Sequence, residues 1–171
     1  MNKSSINISS KISATEPDWS REEFDRWWSP PQQLLKSIRK YQEWRARKGL
    51  LAKLICKIYV VKHRFWSIVT GADIPLNCQI SGGLKLIHPN GIVIHPRAFI
   101  GPNCLILQQV TIVGDVEIGG NVDIGAGAKI IRAVSVGDRA KIGANAVVLN
   151  DIPAGAVAVG VPAKIVRSNT N

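Results

Sequence analysis

Counting in sixes from Ile94 meets Ile100, Ile106, Ile112, Ile118, Ile124, Ile130, Val136, Ile142 and Val148. All ten positions are Ile or Val. With those two types at roughly one residue in seven, chance gives such a run about once in 10⁸ trials. The period is therefore a structural constraint on the chain. Four residues after each lies a second restricted series: Ala98, Cys104, Val110, Val116, Val122, Ala128, Val134, Ala140, Ala146 and Ile152. An earlier run, Ile74, Ile80, Leu86 and Ile92, keeps the period but is out of step by two residues.

A unit with one large and one small inward residue, plus a turn, makes a short strand and a corner. Three units close a triangular coil of eighteen residues, and successive coils stack as parallel strands about 4.8 Å apart. The expected fold is mainly β: a parallel β-helix of six-residue repeats. The arithmetic also sorts the corners. The residue after each inward aliphatic is Gly at 101, 119 and 137 on one column, and Gly at 125 and 143 on a second. On the third it is His95, Val113, Ile131 and Leu149, a column whose apolar residues suggest that something packs against it.

Before Gly71 the pattern is different. Residues 1–17 read as a disordered tail. Residues 18–70 read as a short, basic α-helical region, 71–153 as the β-helix and 154–171 as an extended tail. Asp18 or Ser20 suits a cap for a first helix over "REEFDRWW". Ser29 followed by Pro30 suits the start of a second, which Gly49 can end. A third is expected from Leu50 to Val69. Between Gln32 and Trp66 there are ten Lys or Arg and one acid, Glu43, with tryptophans interleaved. The net charge of +10 calls for an anionic partner: nucleic acid, anionic lipid or a phosphate-bearing ligand. No nucleic-acid reading motif accompanies it. No apolar run is as long as a membrane span, and the N-terminus is polar, so a cytoplasmic protein is expected. Cys56, Cys78 and Cys104 are too scattered for a metal motif or a disulfide framework.

The repeats, with "DIPLNCQISGGLKLIHPNGIVI" before them and "GAVAVGVPAKIV" after them, resemble the serine acetyltransferase branch of the hexapeptide-repeat acyltransferases. The resemblance runs from about Gly71 to Arg167. Asp73 stands fifteen residues before His88, as that branch spaces a substrate carboxylate and its catalytic histidine. "IGAGAKI" from Ile124 resembles the coil lining its coenzyme A site, and "GVPAKIV" from Gly160 its C-terminal signature. The resemblance implies left-handed coils, a homotrimer with sites between neighbouring β-helices, and acetyl transfer from acetyl-CoA to a hydroxyl. Two features depart from it. Ile87 stands where the family usually has Asp, and "QQVTIVGDVEIGG" runs on in register where the family has a loop carrying an Arg-His pair.

Acetyl transfer from a thioester to an alcohol needs a base for the hydroxyl proton, donors for the oxyanion and a track for the coenzyme. His88 is the expected base, since an unperturbed imidazole titrates near neutrality. It lies where the two repeat phases meet, beside Pro89 and Gly91, in a loop free to project. Asp73 either orients His88 or binds a substrate amine. His95, in register after Ile94, is expected to line the acceptor site or to serve structure. A zinc pair is not expected, because no nearby side chains supply the remaining ligands. Gly125 over Gly143 and Ala126 over Ala144 leave a shallow groove for a pantetheine arm. Lys141, Lys164 and Arg167 are candidates for the phosphates. L-serine is the acceptor that the resemblance implies. A sugar hydroxyl of a cell-surface polysaccharide, with the basic helices resting on an anionic membrane surface, and a non-catalytic β-helix scaffold are the alternatives.

Overall fold

The inward aliphatics of the six-residue series are all buried, none more than 3 % exposed. A computed structural model describes residues 12–24, 26 and 28–168. It forms a left-handed parallel β-helix of about four turns with two α-helices before it. The first coil contributes β1 (Gln79–Ile80), β2 (Lys85–Leu86) and β3 (Val93–Ile94). The second contributes β4 (Phe99–Ile100), β5 (Leu105–Ile106) and β6 (Thr111–Val113). The third contributes β7 (Glu117–Ile118), β8 (Asp123–Ile124) and β9 (Lys129–Ile131). The fourth contributes β10 (Ser135–Val136), β11 (Lys141–Ile142) and β12 (Val147–Val148). β13 (Val157–Val159) and β14 (Lys164–Arg167) close the C-terminal end.

Strands three apart in sequence pair in parallel and build three faces. Face one is β1-β4-β7-β10, face two is β2-β5-β8-β11-β13-β14, and face three is β3-β6-β9-β12. In each strand the residue before the inward aliphatic points out, so one Ile or Val per unit is removed from water, worth about 1.5–3 kcal/mol. The small series is buried too, with Val134 at 6 % and Ile152 at 5 % the most exposed. The coil continues through β13, past the boundary expected at 153. β14 then turns back antiparallel onto β13, so the C-terminal segment is a hairpin on face two.

The helical region departs from expectation at two points. Only a 3-10 turn, Trp19–Glu22, forms where a first helix was expected, with the Asp18 carboxylate accepting from the Ser20 amide at 3.1 Å. Asp25 and Trp27 of that stretch lie outside the described residues. α1 (Pro30–Arg45) starts after Ser29 as expected but ends four residues before Gly49. Gly49, with φ 111, instead opens α2 (Leu50–Thr70), and left-handed Gly71 (φ 65) caps it. α1 buries Leu34, Leu35 and Ile38. Gln42 Nε2 donates to the carbonyls of Leu76 (3.0 Å) and Cys78 (2.9 Å), tying α1 to the first coil. Arg39 donates to the Ile80 and Ser81 carbonyls and pairs with Glu22 at 2.8 Å. His63 Nε2 lies 2.8 Å from the Ile74 carbonyl oxygen, tying α2 to the same coil.

Of the tail expected over 1–17, residues 1–11 lie outside the described residues. The described part is packed, not free. Asn103 Nδ2 donates to the carbonyls of Ser13 (2.8 Å) and Glu16 (2.7 Å), and Asn121 Nδ2 to that of Ile12 (3.1 Å). Two buried asparagines at the corner between faces one and two thus hold this strap, and Ala14 is buried against Gly120.

Candidate active site

The two-residue phase slip has one location. Leu86 pairs with Ile106 twenty residues on, but Val93 pairs with Thr111 only eighteen on. Ile87 N–H donates to Ile106 O (3.1 Å), as Leu107 N–H does to Ile124 O (3.1 Å). Beyond the corner, Gln109 N–H donates to Asn90 O (2.9 Å), as Gly127 N–H does to Gln108 O (2.9 Å) and Asn145 N–H to Ala126 O (2.8 Å). Ile87 therefore matches Leu107, and Asn90 matches Gln108. The residues in excess are His88 and Pro89. His88 is exposed and takes φ 50, a left-handed conformation uncommon for a residue with a β-carbon. Ile92 N–H donates back to Pro89 O (3.1 Å) and closes the bulge.

The same corner, between faces two and three, carries Gly125-Ala126 and Gly143-Ala144. A β-carbon on Gly125 would lie 2.6 Å from Ala144 N, so the backbones of the third and fourth coils are in direct contact there. A β-carbon on Gly127 (φ 72) would strike Asn145 Oδ1. Side chains are thus excluded at Gly125 and Gly127, leaving a small-residue edge on the third coil. At 4.7–4.9 Å per coil, Gly125 stands about 10 Å and Gly143 about 14 Å below the His88 bulge. Gln108, Gln109 and Asn145 line the column between and below, and Lys129 Nζ donates to Gln109 O at 2.6 Å. Reading residues by type passed over these four. Counting whole coils from His88 would have found them.

Asp73 lies beside this corner on face three. It bridges to Val93, donating its N–H to Ile92 O (2.8 Å) and accepting from Ile94 N–H (3.0 Å), and Gly91 N–H donates to Gly71 O (2.8 Å). Its carboxylate adds to burial in pushing the Cys78 thiol up to about 12. His95 stands at another corner, between faces three and one, beyond β3. Its Nδ1 accepts from the Arg97 amide at 3.2 Å, and its ring is half-buried. The structure thus brings His88 and the glycine-alanine column to one corner and leaves His95 at the next. Val113 and Ile131, below His95, are 42 % and 37 % exposed.

The three basic candidates are on face two. Lys141 pairs with Asp123 at 3.0 Å. Lys141, Val157 and Arg167 are in register across β11, β13 and β14. Lys164 is opposite Val159, whose Cγ1 fills the space that a β-carbon on Gly143 would need. Among the described residues no group of three or more His, Cys, Asp or Glu is placed to hold a metal ion.

Residues 97–132 match the model of the bacterial transferase hexapeptide family (six repeats). Serine acetyltransferase from Haemophilus influenzae is 37% identical over 150 residues, covering 83% of this chain and 56% of that protein. The chain is a serine acetyltransferase-like hexapeptide-repeat protein. Serine acetyltransferase from Helicobacter pylori is 42% identical over 109 residues, covering 59% of this chain and 64% of its own length. A solved serine acetyltransferase in complex with CoA superposes with TM-score 0.69 at 34% identity, covering 81% of this chain and 57% of that one. The soybean enzyme complexed with serine gives TM-score 0.67 at 32% identity, covering 80% and 57%. The chain thus spans somewhat over half the length of the relatives it matches.

Proposed function

We propose that the chain is an acetyl-CoA-dependent O-acetyltransferase with L-serine as acceptor and His88 as general base. The observation that carries this reading is the two-residue insertion. It lengthens the first coil by two residues, it presents a histidine, and it stands on the corner whose third and fourth coils carry Gly125-Ala126 and Gly143-Ala144. A pantetheine arm lying along Gly125, Ala126, Gly143 and Ala144 points its thioester toward His88. Lys164 and Arg167 lie near the far end of that track for the phosphates, and Lys141 is shared with Asp123. The serine acetyltransferases solved with CoA and with serine support both substrates.

In this mechanism the imidazole of His88 accepts the hydroxyl proton as the acceptor oxygen attacks the thioester carbonyl. The tetrahedral intermediate collapses by breaking the carbon-sulfur bond, and the imidazolium returns its proton to the departing thiolate. The acceptor hydroxyl is itself the nucleophile, so no enzyme nucleophile is required. Asp73, beside the same corner, binds the acceptor ammonium or orients His88. The assembly proposed is a cytoplasmic homotrimer. Its contact face follows the exposed Val113 and Ile131, which would carry His95 to a neighbour's site as an acceptor-lining residue.

One observation favours a second acceptor. β6 enters and leaves the coil in register, Thr111 with Lys129 and Val113 with Ile131, so no loop is extruded to grip a small zwitterion. A sugar hydroxyl, with more contact area and less need of charge, suits an open groove. An acceptor screen that reads free coenzyme A thiol separates the cases. Turnover with serine alone supports the first reading, turnover with sugars alone the second, and thiol release with neither acceptor class counts against both.

A further inference from the structure

α2 carries a stripe at heptad spacing that none of the described residues covers. Leu51, Leu54, Ile58, Val61, Phe65 and Ile68 recur at intervals of three and four residues, and each is between 45 % and 76 % exposed. The helix buries only Ala52 and Thr70, on its opposite face, where His63 also reaches the Ile74 carbonyl. The stripe is therefore the face turned away from the protein. At 100° per residue Lys57 and Arg64 border one edge of it and Lys62 the other. α2 contains no Asp or Glu. Its 21 residues make a rod about 31 Å long.

We propose that this face of α2 lies on an anionic membrane surface. Charge decides the occupant. A second copy of α2 packed on the stripe would set Lys57, Lys62 and Arg64 against their own kind, with no carboxylate on the helix to relieve them. The nearby Glu43 is already paired with Lys40 and Arg47. Lipid phosphates supply the missing negative charge along both edges, while the aliphatic row and Phe65 enter the acyl boundary. Among the described residues no helix is long and apolar enough to cross a membrane, so α2 lies in the interface. Gly71 caps α2 directly before the first coil, and Gly91 N–H donates to Gly71 O at 2.8 Å, so the C-terminal end of α2 abuts the segment that carries His88. The proposal does not depend on the identity of the acceptor.

The test is flotation of the full chain with phosphatidylcholine vesicles, with and without roughly one-third phosphatidylglycerol. Binding is expected to the anionic vesicles alone, and to weaken as salt is raised. Ile58→Ser, Val61→Ser and Phe65→Ser together should abolish it while the thermal melt stays that of the wild type, since these side chains are exposed. Lys57→Gln, Lys62→Gln and Arg64→Gln together should weaken it about 100-fold, near fivefold for each charge. Failure of the wild type to float with anionic vesicles overturns the proposal, as does undiminished flotation of both triple variants. A fall in the sedimenting mass of the assembly in the serine variant would also overturn it, because a second copy would then be what covers the stripe.

Discussion

The Gln109 amide donates to the Asn90 carbonyl at 2.9 Å, and at that bond the β-helix returns to an eighteen-residue coil. Everything above it in the first coil runs two residues long, and the excess is His88 and Pro89. His88→Ala should lower turnover by about 10²–10⁴-fold while leaving coenzyme A affinity nearly unchanged. His95→Ala, at the neighbouring corner, should do much less. A reversed order of effects would move the base to His95. Deleting His88 and Pro89 together should restore the plain register, giving a folded and inactive protein by circular dichroism and assay.

The small-residue column separates binding from stability. Ala126→Leu puts bulk into the proposed pantetheine track and should raise the Michaelis constant for acetyl-CoA about tenfold or more with little change in melting temperature. Gly125→Ala instead drives a methyl to within 2.6 Å of the Ala144 backbone nitrogen. It should cost about 1–3 kcal/mol of stability, visible in a denaturant titration. If Ala126→Leu binds acetyl-CoA as the wild type does, the coenzyme takes another path.

Serine as acceptor carries a kinetic expectation. The family's Arg-His loop is missing, and Ile87 replaces an acid, so several charge-assisted hydrogen bonds are absent, each worth about 1.5–3 kcal/mol. Serine should therefore saturate only well above about 1 mM, the top of the common range. Saturation at tens of micromolar would mean that His95 or a basic residue of another subunit has replaced those contacts.

The strap at residues 12–18 depends on Asn103. Its amide group donates to Ser13 and Glu16 and its Oδ1 accepts from the Asp18 amide at 2.8 Å, all from a side chain on a residue 1 % exposed. Asn103→Gly suits the φ of 61 at this corner and removes the hydrogen bonds together with the buried side chain. It should cost about 2–4 kcal/mol and expose residues 12–18 to limited proteolysis. Unchanged proteolysis would show that Asn121 and Ala14 suffice to hold the strap.

Burial pushes the Cys104 thiol up to about 12. The unfolded chain, with the ordinary thiol value near 9, loses that proton first. Stability is therefore fully retained below about pH 9 and declines at ~1.4 kcal/mol per pH unit between the two values. Cys104→Ala should flatten the alkaline limb of a stability-pH profile. An unaltered limb would place its cause in other groups.

The ten-position Ile/Val series decided the β-helix from sequence alone. A coil of six-residue units leaves one direction inward per unit, and only a buried position tolerates such a narrow choice of side chain. The same count showed that two residues were out of step before Ile94, Ser29-Pro30 marked a helix start through local backbone preference, and the helical period vanished after Gly71. Other features depended on contacts between distant residues. That the excess residues are His88 and Pro89 follows from hydrogen bonds to the next coil, since a phase slip in sequence can be absorbed anywhere between Leu86 and Ile92. The separation of His88 from His95 follows from strand β3 lying between two corners, although only seven residues divide them. The polar segment at 12–17 reads as a tail because its partners, Asn103 and Asn121, lie about ninety residues or more away. The bare stripe of α2 was hidden for a similar reason: heptad spacing marks an apolar face, and only tertiary packing decides whether that face is the one turned inward.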